Sequence, residues 1–201
     1  MKTAIFGGSF NPVHNGHINL VREIASRVEI DRVIVVPTYI SPFKKDEVSF
    51  VAEGKDRLEM CRLAFKGLPF VTVSDYEISA ERVSYTIDTA THFRKCYPDD
   101  ELFLIIGSDM LLSFKKWRQF EDILKICTIV AASRENNNDD FALLTDAAEE
   151  LRPYGNVILT KISPYKMSST LIREEIMKNR DMTCYMPENV VKYIVANNIY
   201  G

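Results

Sequence analysis

Apolar and polar residues fall into alternating blocks along the whole chain. Met1 to Phe6 read as a short apolar strand. Behind them Ile18, Leu20, Val21, Ile24, Ala25 and Val28 recur at helical spacing. The continuous apolar run from Asp31 to Pro37 fits a strand covered on both faces. Residues 53–66 read as a helix with Leu58, Cys61, Leu63, Ala64 and Phe65 on its apolar stripe, and Gly67 suits its C-terminal stop. A short strand at Phe70–Ser74 follows, then Ser84-Tyr85-Thr86 and a helix to about Tyr97 that Pro98 ends. Leu102–Ile106 is a second buried strand. A helix through Phe120, Ile123 and Leu124 leads to a strand at Cys127–Ala132.

After a polar loop at 134–140 come a helix, a strand at Val157–Leu159, a helix opened by Ser168, and a final amphipathic helix behind Pro187. This alternation predicts an α/β fold: a Rossmann-like doubly wound sheet with a parallel core and C-terminal helices. No linker divides the chain, so residues 1–201 are expected to form a single domain. In such sheets ligands bind at the C-terminal ends of the strands. The stretches 7–14 and 107–117, which follow the strands at 1–6 and 102–106, are therefore the candidate site walls.

Composition narrows the function. A net charge of −3, from 25 basic and 28 acidic residues, leaves no excess of Lys and Arg to neutralise a nucleic-acid backbone. No signal peptide and no apolar run long enough to span a bilayer is seen, which predicts a cytoplasmic protein with reduced thiols. Cys61, Cys96, Cys127 and Cys184 form no CxxC pair and no metal-ligand spacing, and read as small, partly buried hydrophobes. A homo-oligomer is compatible with this composition.

Two runs carry chemistry. Gly7-Gly8-Ser9-Phe10-Asn11-Pro12-Val13-His14-Asn15-Gly16-His17 turns a buried strand into a helix. The glycine pair lets backbone approach a ligand, and a helix N-terminus attracts anions. His14 and His17 are three apart and share a face on a first helical turn. The second run is Met167-Ser168-Ser169-Thr170-Leu171-Ile172-Arg173, where Arg173 can lie on the face of Ser169 and Thr170. Taken alone it also fits ordinary helix capping. Hydroxyls, backbone N–H groups and a guanidinium at one point suit the outer phosphates of a nucleotide.

Together the two runs resemble the HxGH nucleotidyltransferase superfamily, with its late SSTxxR. Asp56-Arg57-Leu58-Glu59-Met60 matches as well, and Ser84-Tyr85-Thr86-Ile87-Asp88-Thr89 and Gly107-Ser108-Asp109 with Trp117 narrow the resemblance to the bacterial nicotinate-nucleotide adenylyltransferases. Asn11 stands where many members have Asp, and Met167 where many have Ile.

The resemblance implies transfer of the adenylyl group of ATP to nicotinate mononucleotide, with Mg²⁺ accompanying the triphosphate and no dedicated protein metal site. It implies that His14, His17 and Arg173 are catalytic, and that Gly7, Gly8, Ser9, Phe10, Ser169 and Thr170 bind ATP. Gly107 and Asp109 would hold its ribose. Tyr85, Thr86 and Trp117 would take the pyridine ring, and Lys44, in a polar 38–51 loop that closes on substrate, would reach a phosphate. Trp117 also fits a core position and Lys44 a solvated one, while Arg57 resembles a recurring position of the family and equally fits a helix-surface ion pair. The rival readings are a nicotinamide mononucleotide adenylyltransferase, a phosphopantetheine adenylyltransferase, and a non-catalytic nucleotide-binding regulator.

Overall fold

The computed structural model describes residues 1–42, 51–134, 138–163 and 167–201. Its six strands are β1 (Lys2–Gly8), β2 (Arg32–Pro37), β3 (Val71–Val73), β4 (Glu101–Gly107), β5 (Thr128–Arg134) and β6 (Val157–Ile162). They form one sheet in the order β3-β2-β1-β4-β5-β6. The β1–β4, β4–β5 and β5–β6 pairs are parallel, with Thr3 opposite Leu102, Ile105 opposite Val130 and Ala132 opposite Thr160. The order reverses between β1 and β4, so the strand that leads into the HxGH run and the strand that ends in Gly107 are the pair at the switch.

The helices are α1 (Asn15–Val28), α2 (Gly54–Phe65), α3 (Tyr76–Ser79), α4 (Thr86–Cys96), α5 (Ser108–Leu112), α6 (Phe120–Ile126), α7 (Asn138–Leu151), α8 (Ser169–Met177) and α9 (Glu188–Ala196). None is long and apolar enough to cross a membrane, among the described residues. The expected α/β fold with its parallel core is the observed one.

Contacts divide the chain into two compact units. The first comprises Met1–Gly7, Leu20–Ile34 and Tyr85–Pro164. Its core is the apolar runs of β1, β4 and β5: Ile5, Leu102, Ile105, Ile129 and Val130 are all at most 2% exposed. Burying each such side chain stabilises the fold by roughly 1.5–3 kcal/mol, which is why these strands need no alternation. At the N-terminal ends of β1 and β2, the Thr3 hydroxyl and Arg32 both donate to Asp100, each at 2.6 Å. These bonds, that of Thr3 first, hold the Asp100 carboxyl below its ordinary pKa.

The second unit comprises Gly8–Asn19, Val35–Ser84 and Tyr165–Gly201. In it α2 buries Met60, Cys61 and Phe65, and α9 buries Val190 and Ile194. Asn189 donates to Leu63 O at 2.9 Å, and the Tyr193 hydroxyl to Asp56 at 2.9 Å. Ser84 ties down the chain after β2: its Oγ accepts the Tyr39 N–H at 3.0 Å, and its N–H donates to Ile40 O at 2.9 Å.

One sequence expectation is refined and one corrected. α2 stops just before Gly67 as expected, but not through a left-handed glycine: Lys66 stays right-handed and the Leu68 N–H bonds Phe65 O in one more right-handed turn. Left-handed stops do occur elsewhere, at Glu29, Asn179 and Asn198. At each, the next N–H reaches back five residues, as in Ile30 to Ala25 O, the pattern of a Schellman cap. The cysteines also divide: Cys61 and Cys127 are buried, while Cys96 and Cys184 are exposed. Burial pushes the Cys127 thiol up to about 12.

Candidate active site

Residues 8–14 leave β1 in a shape that the sidechain of Phe10 dictates. Phe10 is left-handed at φ 46 and only 2% exposed. Its ring lies so close over Gly8 that a Cβ there would sit 3.1 Å from it. The ring edge meets the His17 imidazole, with centroids 5.1 Å apart and planes at 68°. Gly8 therefore makes room for a phenyl ring, and through it for His17. Phe10 itself can offer a nucleotide its backbone, not its buried ring.

His14 and His17 form a reciprocal cap on α1. His14 is the N-cap residue. Its Nδ1 accepts the Gly16 N–H at 3.1 Å, and the Nδ1 of His17 accepts the His14 N–H at 3.2 Å. This is a capping box written with imidazoles. An Nδ1 that accepts leaves the proton of a neutral ring on Nε2. Both rings are thus set as Nε2–H donors, their centroids 3.8 Å apart. Burial, and then the charge His14 would carry, hold His17 well below its ordinary pKa.

The same bonds correct the expectation of open backbone donors at this helix start. The Asn15 N–H goes to Tyr185 O at 2.8 Å, the Gly16 N–H to the His14 ring, and the His17 N–H to His14 O at 2.9 Å. The α1 entrance presents imidazole donors in place of amide donors.

The second motif docks onto the first. Ser168 is the N-cap of α8, its Oγ accepting the Leu171 N–H at 3.3 Å. The Ser169 hydroxyl donates to Pro12 O at 2.9 Å. Arg173 donates to Asn11 O at 2.7 Å and to the Thr170 hydroxyl at 3.3 Å. Runs 162 positions apart are thereby joined at residues 11 and 12. The expected convergence of Ser169, Thr170 and Arg173 is present, with part of their hydrogen-bonding capacity used to hold the HxGH stretch.

Arg57 is corrected from a surface position to a buried one, 2% exposed. Its guanidinium donates to four backbone carbonyls: Ala52 at 3.0 Å, Ser9 at 2.8 Å, Thr38 at 2.6 Å and Tyr39 at 3.1 Å. One side chain thus pins three segments, while burial lowers its pKa. Asn11, 6% exposed, is a second anchor: its Oδ1 accepts the Ala52 N–H at 2.9 Å and the Tyr200 hydroxyl at 2.7 Å. Tyr200 carried no sequence signal, because its partner lies 189 positions away.

The remaining candidates lie in the first unit. Gly107 ends β4, and a Cβ on it would fall 2.7 Å from Asp109 Oδ1, so only glycine lets that carboxylate fold back over the strand end. Trp117 follows a 3₁₀ turn at Phe114–Lys116 and is half-buried, its ring 4.9 Å from Phe114. Tyr85 is the N-cap residue of α4 and Thr86 its first residue. Arg118, which sequence reasoning missed, stacks its guanidinium 4.7 Å above the Tyr85 ring. Lys44, and the 43–50 part of the expected closing loop, lie outside the described residues.

Residues 5–175 match the cytidylyltransferase-like family. A probable nicotinate-nucleotide adenylyltransferase of Carboxydothermus hydrogenoformans is 38% identical over 99% of this chain and 98% of its own. One from Methylacidiphilum infernorum is 36% identical over 99% and 92%. The solved structure of Plasmodium falciparum nicotinic acid mononucleotide adenylyltransferase complexed with NaAD superposes with a TM-score of 0.78 at 19% identity, over 99% of this chain and 97% of that one. The last shows a shared fold, and the first two, aligned from end to end, show the lineage: the chain belongs to the nicotinate-nucleotide adenylyltransferases.

Proposed function

We propose that the protein transfers the adenylyl group of ATP to nicotinate mononucleotide, releasing pyrophosphate and forming nicotinate adenine dinucleotide for NAD biosynthesis. The observation that carries this is the docking of Ser169 and Arg173 onto Pro12 and Asn11, which ties a cation and a helix start to the paired imidazoles.

The chemistry asks little covalent work of the protein. The mononucleotide phosphate is largely dianionic near neutral pH and needs no general base. One of its oxygens attacks the α-phosphorus of ATP. The bond from that phosphorus to the bridging oxygen breaks, and pyrophosphate carries away the electron pair. The protein must align two polyanions and stabilise charge on the α-phosphate and the leaving group.

In this reading the His17 Nε2–H donates to the α-phosphate, and the His14 Nε2–H to a neighbouring phosphate oxygen. Arg173 has five N–H donors, of which Asn11 and Thr170 take two, and the rest serve the β- and γ-phosphates. The Ser169 hydroxyl is spent on Pro12, so Ser169 serves through its backbone N–H group, while the Thr170 hydroxyl accepts from Arg173 and keeps its O–H for a phosphate. Gly7, Gly8, Ser9 and Phe10 offer backbone to the nucleotide. Gly107 and Asp109 hold its ribose, the carboxylate accepting from both hydroxyls. Trp117 stacks on the pyridine ring, Tyr85 and Thr86 line its pocket, and Lys44 reaches a phosphate.

Magnesium enters with ATP, held by phosphate oxygens and water. Among the described residues no group of three or more His, Cys, Asp or Glu could hold an ion. Residues 1–201 work as one nucleotidyltransferase domain, in the cytoplasm, where ATP is at hand.

Pyrophosphate release with ATP and each acceptor in turn tests the reading. Nicotinate mononucleotide should give the highest kcat/KM, above nicotinamide mononucleotide and phosphopantetheine. No release with any acceptor would mark a non-catalytic nucleotide binder, and preference for another acceptor would reassign the substrate.

A further inference from the structure

Tyr200 takes a left-handed backbone at φ 70, a region uncommon for an aromatic residue and one that persists where its surroundings over-determine it. Its hydroxyl donates to Asn11 Oδ1 at 2.7 Å. That oxygen has two lone pairs, and the Ala52 N–H takes the other at 2.9 Å. The Asn11 side chain is thus held at its acceptor end from two directions, by segments 41 and 189 positions away.

What the side chain fixes, the backbone passes on. The carbonyl of Asn11 receives Arg173 at 2.7 Å, and the next carbonyl, that of Pro12, receives the Ser169 hydroxyl at 2.9 Å. The direction of those two carbonyls sets where the α8 start and the Arg173 guanidinium stand. From Tyr200 to Arg173 the path is two hydrogen bonds and one residue. Burial raises the pKa of the Tyr200 hydroxyl against the opposing pull of Arg173 and then Arg57, so it remains a neutral donor.

We infer that Tyr200 is a positioning residue for the triphosphate: through Asn11 it orients Arg173, without touching substrate itself. This rests on the adenylyl-transfer reading for its ligand, ATP. It differs from a packing role, because Tyr200→Phe keeps the ring and removes one donor.

The test measures ATP affinity by calorimetry, with a thermal melt and steady-state constants alongside. Tyr200→Phe should raise the Kd for ATP about five-fold, the size of one buried hydrogen bond. The KM for the mononucleotide should not change. Asn11→Ala removes the acceptor in place of the donor and should reproduce that ATP-specific loss. In an Arg173→Lys background, where the planar fork is gone, Tyr200→Phe should add less than two-fold. A lowered melting temperature with an unchanged Kd would overturn the inference, and so would a full five-fold loss on top of Arg173→Lys. A wild-type protein that binds ATP yet releases no pyrophosphate would sink the proposed reaction alone, since the Kd comparisons would still decide this point. Failure of the wild type to bind ATP would overturn both.

Discussion

The Nδ1 of His17 accepts the backbone N–H of His14, while His14 uses its own Nδ1 for the Gly16 N–H. Each imidazole is oriented by the other's turn of chain, and both protons are pushed to Nε2. The rings act as fixed donors rather than as an acid–base pair.

One consequence is a pH dependence. The His17 pKa lies below its ordinary value in the fold, through burial and then His14. Between the folded value and the unfolded value of about 6.5, only the unfolded chain binds the proton. His17 therefore contributes stability that is complete above about pH 6.5 and is lost as pH falls below it. In proton NMR of the free protein, the His17 ring should titrate well below pH 6.5. His14→Asn should move its transition upward, since one of the two depressing causes is removed. A His17 midpoint at or above 6.5 in the wild type would contradict the account.

Gly8→Ala should separate turnover from stability. The added Cβ would sit 3.1–3.4 Å from three Phe10 ring atoms, so the ring must give way. The cost of such overpacking is about 1 kcal/mol or somewhat more by denaturant unfolding. Because the displaced ring abuts His17, kcat should fall by more than ten-fold. Wild-type kcat in a folded Gly8→Ala protein would show that Phe10 does not position His17.

Arg57→Leu should be the most destabilising of these substitutions, at about 3 kcal/mol or more in urea unfolding. It strips the guanidinium from four part-buried backbone carbonyls, each left short of a partner. A loss under 1 kcal/mol would return Arg57 to the surface role that its sequence suggested.

Trp117→Ala should raise the KM for the mononucleotide by about ten-fold or more, the worth of a stacked ring, and leave the KM for ATP near its wild-type value. Equal changes in both constants would refute the stacking role and point to lost packing on Phe114, 4.9 Å away.

The sheet and both phosphate runs were legible in the sequence because their signals are local. A buried parallel strand such as Leu102–Ile106 is a continuous apolar run, and Ser168 caps a helix that begins one residue later. Arg57 stayed open between a family position and a surface ion pair because a lone arginine among Asp56, Glu59 and Lys55 looks like any exposed helix charge. Its four acceptors come from loops whose course no periodicity encodes. Tyr200 was silent for the same reason. The left-handed Phe10 carries no sequence signal, since glycines are the residues that favour such a backbone, whereas among the described residues no glycine is left-handed. What sequence missed is the support of the site: side chains that act on backbone carbonyls far away along the chain.

The claim that His17 is a donor to the phosphate under attack is tested most directly by pyrophosphate release at saturating ATP and nicotinate mononucleotide, wild type against His17→Ala. Loss of one transition-state donor should lower kcat by about 100-fold or more, with the melting temperature retained within a few degrees. A folded His17→Ala protein turning over within two-fold of wild type would contradict it.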